Sequence, residues 1–249
     1  GFVPVTIDLT PYMGQTVSVR FVFDTIDASF NTFEGAYLDN VLVDTTCDFT
    51  QLDSGFPTLW GSTALAADDV YAVGLQGTIA HWNGLMWRSV GGAGTDVTWY
   101  GVYGSGDSLA LVGTGGQIKL SIAGQIVEIE SPTAATLRDV YTADGLVYWA
   151  VGDNGIIVTG TGETWSLAMT PALKGNFFGV HGNAADNIYA VGQAGQVVHY
   201  DGAVWTVVSG IPSSVAILDL KTVWVDDAGI VTITGKDGLI LQGNKTDGF

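Results

Sequence analysis

The chain of 249 residues carries 8 Lys and Arg against 25 Asp and Glu, a formal net charge of −17 that argues against nucleic acid or an anionic membrane as a partner. With 47% hydrophobic and only 13% charged residues, it does not have the composition of a disordered chain. Its 35 glycines and 8 tryptophans indicate many tight turns between short strands. No apolar run approaches the ~18 residues of a membrane-spanning helix, so we expect no membrane insertion.

The composition also predicts the compartment. Little lysine, much glycine and threonine and strong acidity are typical of secreted bacterial surface proteins, so we expect an extracellular or cell-surface location. Cys47 is the only cysteine, which excludes an intramolecular disulfide; we expect a buried small side chain there rather than a reactive thiol. The chain opens at Gly1 directly in a strand pattern, without an initiator methionine or signal peptide, so we expect that the natural chain starts upstream.

Residues 1–46 form the first predicted module. Residues 5–8 and 17–23 alternate between apolar and polar side chains, residues 11–15 read as a turn, and residues 37–43 read as a third strand. This pattern resembles the C-terminal strands of the jelly-roll domain that follows secreted bacterial peptidases of the immune-inhibitor type. A jelly roll needs about eight strands, so we predict a truncated β-sandwich. It would be completed by residues outside this chain or by a neighbouring subunit, or it would pack on the next domain.

A loop of this module gathers oxygen-bearing side chains. Calcium takes about six to eight oxygen ligands, and jelly rolls of the kind that this module resembles often hold a structural calcium ion. The resemblance therefore implies a calcium site, with a solvated polar loop as the alternative and no other cofactor expected. The candidate ligands are Asp24, Asp27, Asn31, Glu34 and Asp39.

An internal repeat organises the rest of the chain. A string of the type Ala-Val-Gly-x-x-Gly recurs five times, and its first glycines stand at positions 74, 113, 152, 192 and 235, so they are separated by 39, 39, 40 and 43 residues. A second turn dipeptide follows each string, and in three repeats a tryptophan stands three residues after its glycine. Each repeat therefore reads as four antiparallel strands in about 40 residues.

Such sheets bury both faces when they stack around an axis, so we predict that residues 47–249 form a five-bladed β-propeller. A linear solenoid of four-stranded layers is the alternative. Residues 48–54 resemble the fourth strand at 204–210, and we predict that they complete the last blade and close the ring. The competing interpretation is that the natural chain continues beyond Phe249 and adds blades.

The repeats resemble the degenerate glycine-rich propeller repeats of bacterial secreted proteins. They are more distantly similar to the Asp-box repeats of sialidases and to photosystem II assembly factors. The residues that carry this resemblance are the five Ala-Val-Gly-type strings and the segments 81–87, 160–165 and 199–205. The resemblance covers about three quarters of the chain and implies a fold, not an activity.

Five rings at the ends of the predicted first strands are the candidate ligand site. In a propeller these strands line the central channel, so the rings could form an aromatic collar that stacks a sugar; packing between blades is the alternative. The candidates are Trp60, Tyr103, Tyr141, His181 and Trp224. Aspartates in the loop after each first strand predict one acidic face, or simply turns stabilised by side-chain hydrogen bonds.

No catalytic signature is present: the sequence has no Gly-x-Ser-x-Gly and no arginine cluster, and its three histidines lack metal-triad spacing. The leading hypothesis is a non-enzymatic secreted or cell-surface platform for interaction or adhesion, with a protein or glycan partner. One alternative is a glycan-binding or glycan-active propeller of the sialidase or glycosidase kind. Another is a subunit of an extracellular filament or surface complex that strand addition completes.

Overall fold

The structure is a computed structural model, and it describes residues 55–91, 95–122, 124–168 and 175–244. These residues belong to one compact unit, Asp53–Phe249. The predicted jelly-roll segment 1–46, its calcium ligands, Cys47 and the closing segment 48–54 lie outside the described residues.

The described residues form nineteen strands in five antiparallel sheets. The first sheet contains β1 Leu59–Ala66, β2 Asp69–Gly74, β3 Ile79–Trp82 and β4 Trp87–Gly91. The second contains β5 Trp99–Ser105, β6 Ser108–Gly113, β7 Ile118–Ile122 and β8 Gln125–Ile129. The third contains β9 Leu137–Thr142, β10 Val147–Gly152, β11 Ile157–Thr161 and β12 Thr164–Leu167. The fourth contains β13 Phe177–Ala184, β14 Asn187–Gly192, β15 Val197–Tyr200 and β16 Trp205–Val207. The fifth contains β17 Leu220–Val225, β18 Ile230–Gly235 and β19 Ile240–Asn244.

Each sheet is a meander, in which consecutive strands pair in chain order. This confirms the predicted all-β architecture, with four-stranded repeats in the first four sheets. The fifth sheet has three strands within the described part of the chain. No helix in that part is long and apolar enough to cross a membrane.

The first glycine of each repeat is required by a close approach between neighbouring strands. At Gly152, an added Cβ would lie 2.1 Å from the backbone carbonyl oxygen of Thr136. That carbonyl accepts a hydrogen bond of 2.9 Å from the N–H of Asp153, so it is held in place. The second glycine has a different role, because Gly155 has φ +71 and closes a 3-10 turn in the left-handed region. The repeated string thus combines two separate constraints on the backbone, a close approach at its first glycine and a left-handed turn at its second.

Consecutive sheets pack face to face, and four hydrophobic clusters join them. One cluster lies between the first and second sheets, and the other three join the second to the third, the third to the fourth and the fourth to the fifth. The first strands of consecutive sheets also lie side by side, in the order β1, β5, β9, β13 and β17. Within the described residues, neither a core cluster nor such a strand contact joins the fifth sheet to the first.

Candidate functional site

Strand pairing fixes which residues of the five first strands are equivalent. In each sheet we compare the first-strand residue that pairs with the residue three positions before the repeat glycine. This residue is Tyr103 in β5, Tyr141 in β9, His181 in β13 and Trp224 in β17. In β1 that residue is Thr63, which pairs with Tyr71. The structure therefore corrects the predicted collar: four of its five members share one register position, but Trp60 stands three residues earlier in its strand.

The four remaining collar rings pack against one another. Tyr103 lies 5.1 Å from Tyr141, Tyr141 lies 4.9 Å from His181, and His181 stacks on Trp224 at 4.1 Å between ring centroids. Tyr141 is 3% exposed and His181 is 7% exposed, whereas Trp224 is 59% exposed. Packing between sheets thus accounts for Tyr141 and His181, and among the four rings the face of Trp224 is the most open to a ligand.

Burial beside the collar shifts the protonation of one acid and one base. Asp139 on β9 accepts hydrogen bonds from the N–H of Val140 and, across to the next sheet, from the N–H of Val180, both at 2.9 Å. Desolvation nevertheless raises the pKa of Asp139 to about 7. Desolvation lowers the pKa of His181 to about 4, and its Nδ1 accepts the N–H of Val225, so the neutral ring carries its proton on Nε2.

These two shifts predict opposing effects of pH on stability. Between pH 4 and 7 the folded protein keeps the Asp139 proton that the unfolded chain releases, so this group lowers stability as pH rises. Between pH 6.5 and 4 this histidine binds a proton in the unfolded chain but not in the folded protein, so His181 lowers stability as pH falls. Their contributions oppose each other in the shared window. In Asp139→Asn only the His181 contribution remains, so we expect the free energy of unfolding to rise with pH from 4 to 6.5. In His181→Asn only the Asp139 contribution remains, so we expect it to fall over the same range.

Urea unfolding at a series of pH values measures both slopes. The Asp139 contribution should amount to a few kcal/mol across its window. Asp227→Asn, at an exposed turn position, serves as the control and should keep the wild-type profile. Identical pH slopes in all three variants would contradict the assignment.

A second row of side chains occupies the position at which every first strand has a β-bulge. In each first strand one residue pairs with the repeat glycine, and the residue that follows it is left out of the pairing. Such a bulge redirects the side chain of the extra residue. We call these five residues the bulge row; its members are Trp60, Tyr100, Arg138, Phe178 and Lys221. Each of them is at least partly exposed.

Aromatic and cationic side chains alternate along part of the bulge row. The rings of Trp60 and Tyr100 lie 6.0 Å apart. The Arg138 guanidinium lies 5.4 Å from the Tyr100 centroid and 5.5 Å from the Phe178 centroid, and Lys221 Nζ lies 4.0 Å from the Phe178 centroid. These distances allow cation–π attraction, which orders the long cationic side chains. The row is therefore a chain of neighbouring aromatic and cationic side chains that runs across all five sheets.

Two ion-pair groups border the bulge row. Arg138 donates hydrogen bonds from Nε and Nη2 to the two carboxylate oxygens of Asp153. Lys221 and Lys236 both contact Asp219, at 3.1 Å and 2.9 Å. The hydrogen bond from Lys236 and the charge of Lys221 hold the pKa of Asp219 below its usual value. Three of the chain's few cations thus lie at or beside this row, on a protein with a net charge of −17.

Sequence reasoning missed this row, apart from Trp60. A strand pattern of period two cannot reveal a bulge, because the extra residue shifts the alternation within the strand. Each member directly follows the residue that pairs with the repeat glycine, and this pairing is known only from the structure.

The predicted acidic loops serve as turns in the structure. Asp144 Oδ1 accepts the N–H groups of Leu146 and Val147, at 2.8 and 3.0 Å, and these bonds lower its pKa. Asp226 Oδ1 accepts the N–H of Ile230 at 2.8 Å. Within the described ranges no group of three or more His, Cys, Asp or Glu side chains is placed to hold a metal ion.

Among the solved structures that share this fold are two of the protein YCF48. One is described as YCF48 bound to D1 peptide: it has a TM-score of 0.61 and 14% sequence identity, and the match covers 80% of this chain and 66% of that chain. The other is YCF48 from Cyanidioschyzon merolae, with a TM-score of 0.57, 17% identity, and coverage of 75% and 66%. This chain thus spans slightly less than two thirds of each. No family model and no curated protein matches the sequence. The likeness confirms a β-propeller fold and, within it, the predicted distant similarity to photosystem II assembly factors.

Proposed function

We propose that this chain is a propeller-type interaction platform that binds an extended peptide segment of a protein partner along the bulge row. The observation that carries the proposal is the row itself: five bulged strands place aromatic and cationic side chains side by side on one partly exposed surface. Bulges are frequent next to binding sites because they aim a side chain without breaking the sheet.

The chemistry of the row fits a peptide. Aromatic residues and arginine are enriched among the residues that carry binding energy at protein interfaces. Trp60 is 57% exposed, so a partner that covers it removes a large apolar surface from water. Arg138, Lys221 and Lys236 lie at or beside the row, which favours a segment that carries acidic side chains among apolar ones.

The structural likeness supports the same proposal. A propeller of this fold, YCF48, has been solved with a D1 peptide bound. At 14% identity the likeness to YCF48 concerns the fold.

The setting is part of the proposal. We propose a non-enzymatic role in adhesion or surface assembly at the cell surface or in the extracellular medium, on the basis of the acidic, lysine-poor composition. The collar favours a glycan less, because Tyr141 and His181 are buried by their neighbours.

A peptide-display experiment tests the proposal. The full chain would be immobilised and used to select binders from a random peptide library, and the selected peptides measured by titration calorimetry. We expect Trp60→Ala and Arg138→Ala to weaken binding at least ~10-fold. Arg88→Ala, which removes an exposed arginine on the outer strand β4, should leave binding within about twofold. Thermal unfolding checks that the variants remain folded, and Lys221→Ala provides a second variant away from the Asp153 ion pair.

Two outcomes would contradict the proposal. The selected peptides could bind all variants equally, which would place the binding surface elsewhere. Alternatively, a glycan array could give the only specific binding, lost in Trp60→Ala and Trp224→Ala, which would favour the glycan-binding alternative.

A further inference from the structure

One repeat position is buried in four sheets and exposed in the fifth. It is the first residue of the third strand, which faces the next sheet along the chain. Ile79, Ile118, Ile157 and Val197 are at most 1% exposed, whereas Ile240 is 70% exposed. The difference is not one of residue type, since isoleucine occupies the position in three of the four buried cases. In the first four sheets this residue lies on the face that the next sheet covers. The equivalent face of the fifth sheet is therefore uncovered at this position.

The first sheet shows the complementary exception. The residue that opens each first strand faces the preceding sheet; Trp99, Leu137, Phe177 and Leu220 are at most 2% exposed. Leu59, which opens β1, is 39% exposed. Nearer the middle of the same face Ala72 and Ala80 are buried, so the uncovered part is the end that contains Leu59.

Ile240 and Leu59 occupy the two positions that contact each other at the junctions between sheets. In every junction between sheets, the residue that opens a third strand shares a hydrophobic cluster with the residue that opens the next sheet. These pairs are Ile79 with Trp99, Ile118 with Leu137, Ile157 with Phe177 and Val197 with Leu220. Ile240 and Leu59 are the remaining pair. Both are exposed, and β17 does not lie beside β1 as the other first strands lie beside their neighbours.

We infer that a second copy of this chain supplies the missing half, so that the fifth sheet of one copy packs on the first sheet of the next. The two faces already have the geometry of an internal junction, because each belongs to a repeat whose equivalents pack in this way. The contact joins two different surfaces, so it is heterologous and can continue from copy to copy unless the rotation closes a ring. It requires no peptide ligand, and it stands independently of the proposed function.

The polar residues of the fifth-sheet face do not oppose this contact. Thr222 and Thr234 hydrogen-bond to each other at 2.9 Å, and Gln242 donates to Thr232 at 3.4 Å. Their polar groups are thus partly satisfied before the face is covered, which lowers the cost of removing them from water. Trp224, 59% exposed on the same sheet, adds a large apolar side chain to the surface.

Sedimentation velocity of the full chain over a range of concentrations tests the inference. We expect the wild type to form dimers and longer species, and added salt to favour them by screening the net charge of −17. Ile240→Asp and Leu59→Asp should each raise the apparent dissociation constant at least ~10-fold. Ile217→Asp, which alters a side chain that is 84% exposed but lies outside both faces, should not change it.

Mixing the two variants gives the most specific result. A chain with Ile240→Asp keeps a native first sheet, and a chain with Leu59→Asp keeps a native fifth sheet. An equimolar mixture should therefore form a one-to-one dimer that does not grow, although each variant alone stays monomeric. A wild type that is monomeric at all concentrations would overturn the inference, whether segment 48–54 closes the ring or some other part of the chain covers the faces. Equal association by all three aspartate variants would overturn it as well.

Discussion

Replacing Gly152 with alanine is expected to destabilise the protein by about 3 kcal/mol or more. The φ of Gly152 is −166, an extended value that alanine adopts without strain, so the cost comes from the clash of the new Cβ with the Thr136 carbonyl at 2.1 Å. That carbonyl cannot withdraw without losing its hydrogen bond from the Asp153 N–H. Urea unfolding monitored by tryptophan fluorescence would measure the change in the free energy of unfolding.

Two further glycine variants calibrate this result. At Gly91 an added Cβ would meet only the Cδ1 atom of Ile79, at 3.6 Å, so Gly91→Ala should change stability by less than about 1 kcal/mol. At Gly235 the nearest carbonyl is 2.7 Å away, and Gly235→Ala should fall between the two. If Gly152→Ala cost no more than Gly91→Ala, the close approach of the strands would not be the reason for the repeat glycine.

Truncating Ile157 to alanine is expected to cost about 3 kcal/mol, because the side chain is 1% exposed within the cluster between the third and fourth sheets. The same substitution at the equivalent Ile240, which is 70% exposed, should cost less than about 0.5 kcal/mol when the protein is dilute. The two variants remove the same atoms from the same repeat position, so the difference measures burial alone.

The pair also distinguishes an open fifth sheet from a covered one. A loss of more than about 2 kcal/mol in dilute Ile240→Ala would show that the side chain is buried within a single chain. A loss that appears only at high protein concentration would agree with burial between copies, because association then adds to the apparent stability.

Much of the fold was predictable from local signals. The spacing of the repeat glycines and the turn dipeptides predicted the four-strand meanders, since both mark places where the chain must turn. The reason for the first glycine was not predictable: the sequence indicates a turn, whereas the structure shows a carbonyl of a neighbouring strand against the Cα of Gly152. Local pattern identifies such a position, but only tertiary packing explains it.

The candidate site was less predictable, and Trp60 shows why. An aromatic residue near the end of the segment 58–60 seemed equivalent to Tyr103 and Tyr141, but strand pairing places Thr63 there instead. The bulge after Leu59 adds a residue that no periodicity reveals. Asp139 was visible as an acid in a first strand, but its protonation depends on burial and on Val180 of the next sheet.

The bulges of the first strands have a consequence for how the protein can change. A residue at a bulge takes no part in the regular ladder of hydrogen bonds, so its side chain can be exchanged without altering the pairing on either side. The positions of Trp60, Tyr100, Arg138, Phe178 and Lys221 can therefore vary independently of the scaffold. A library randomised at these five sites should yield chains that fold alike and differ in the ligands that they select.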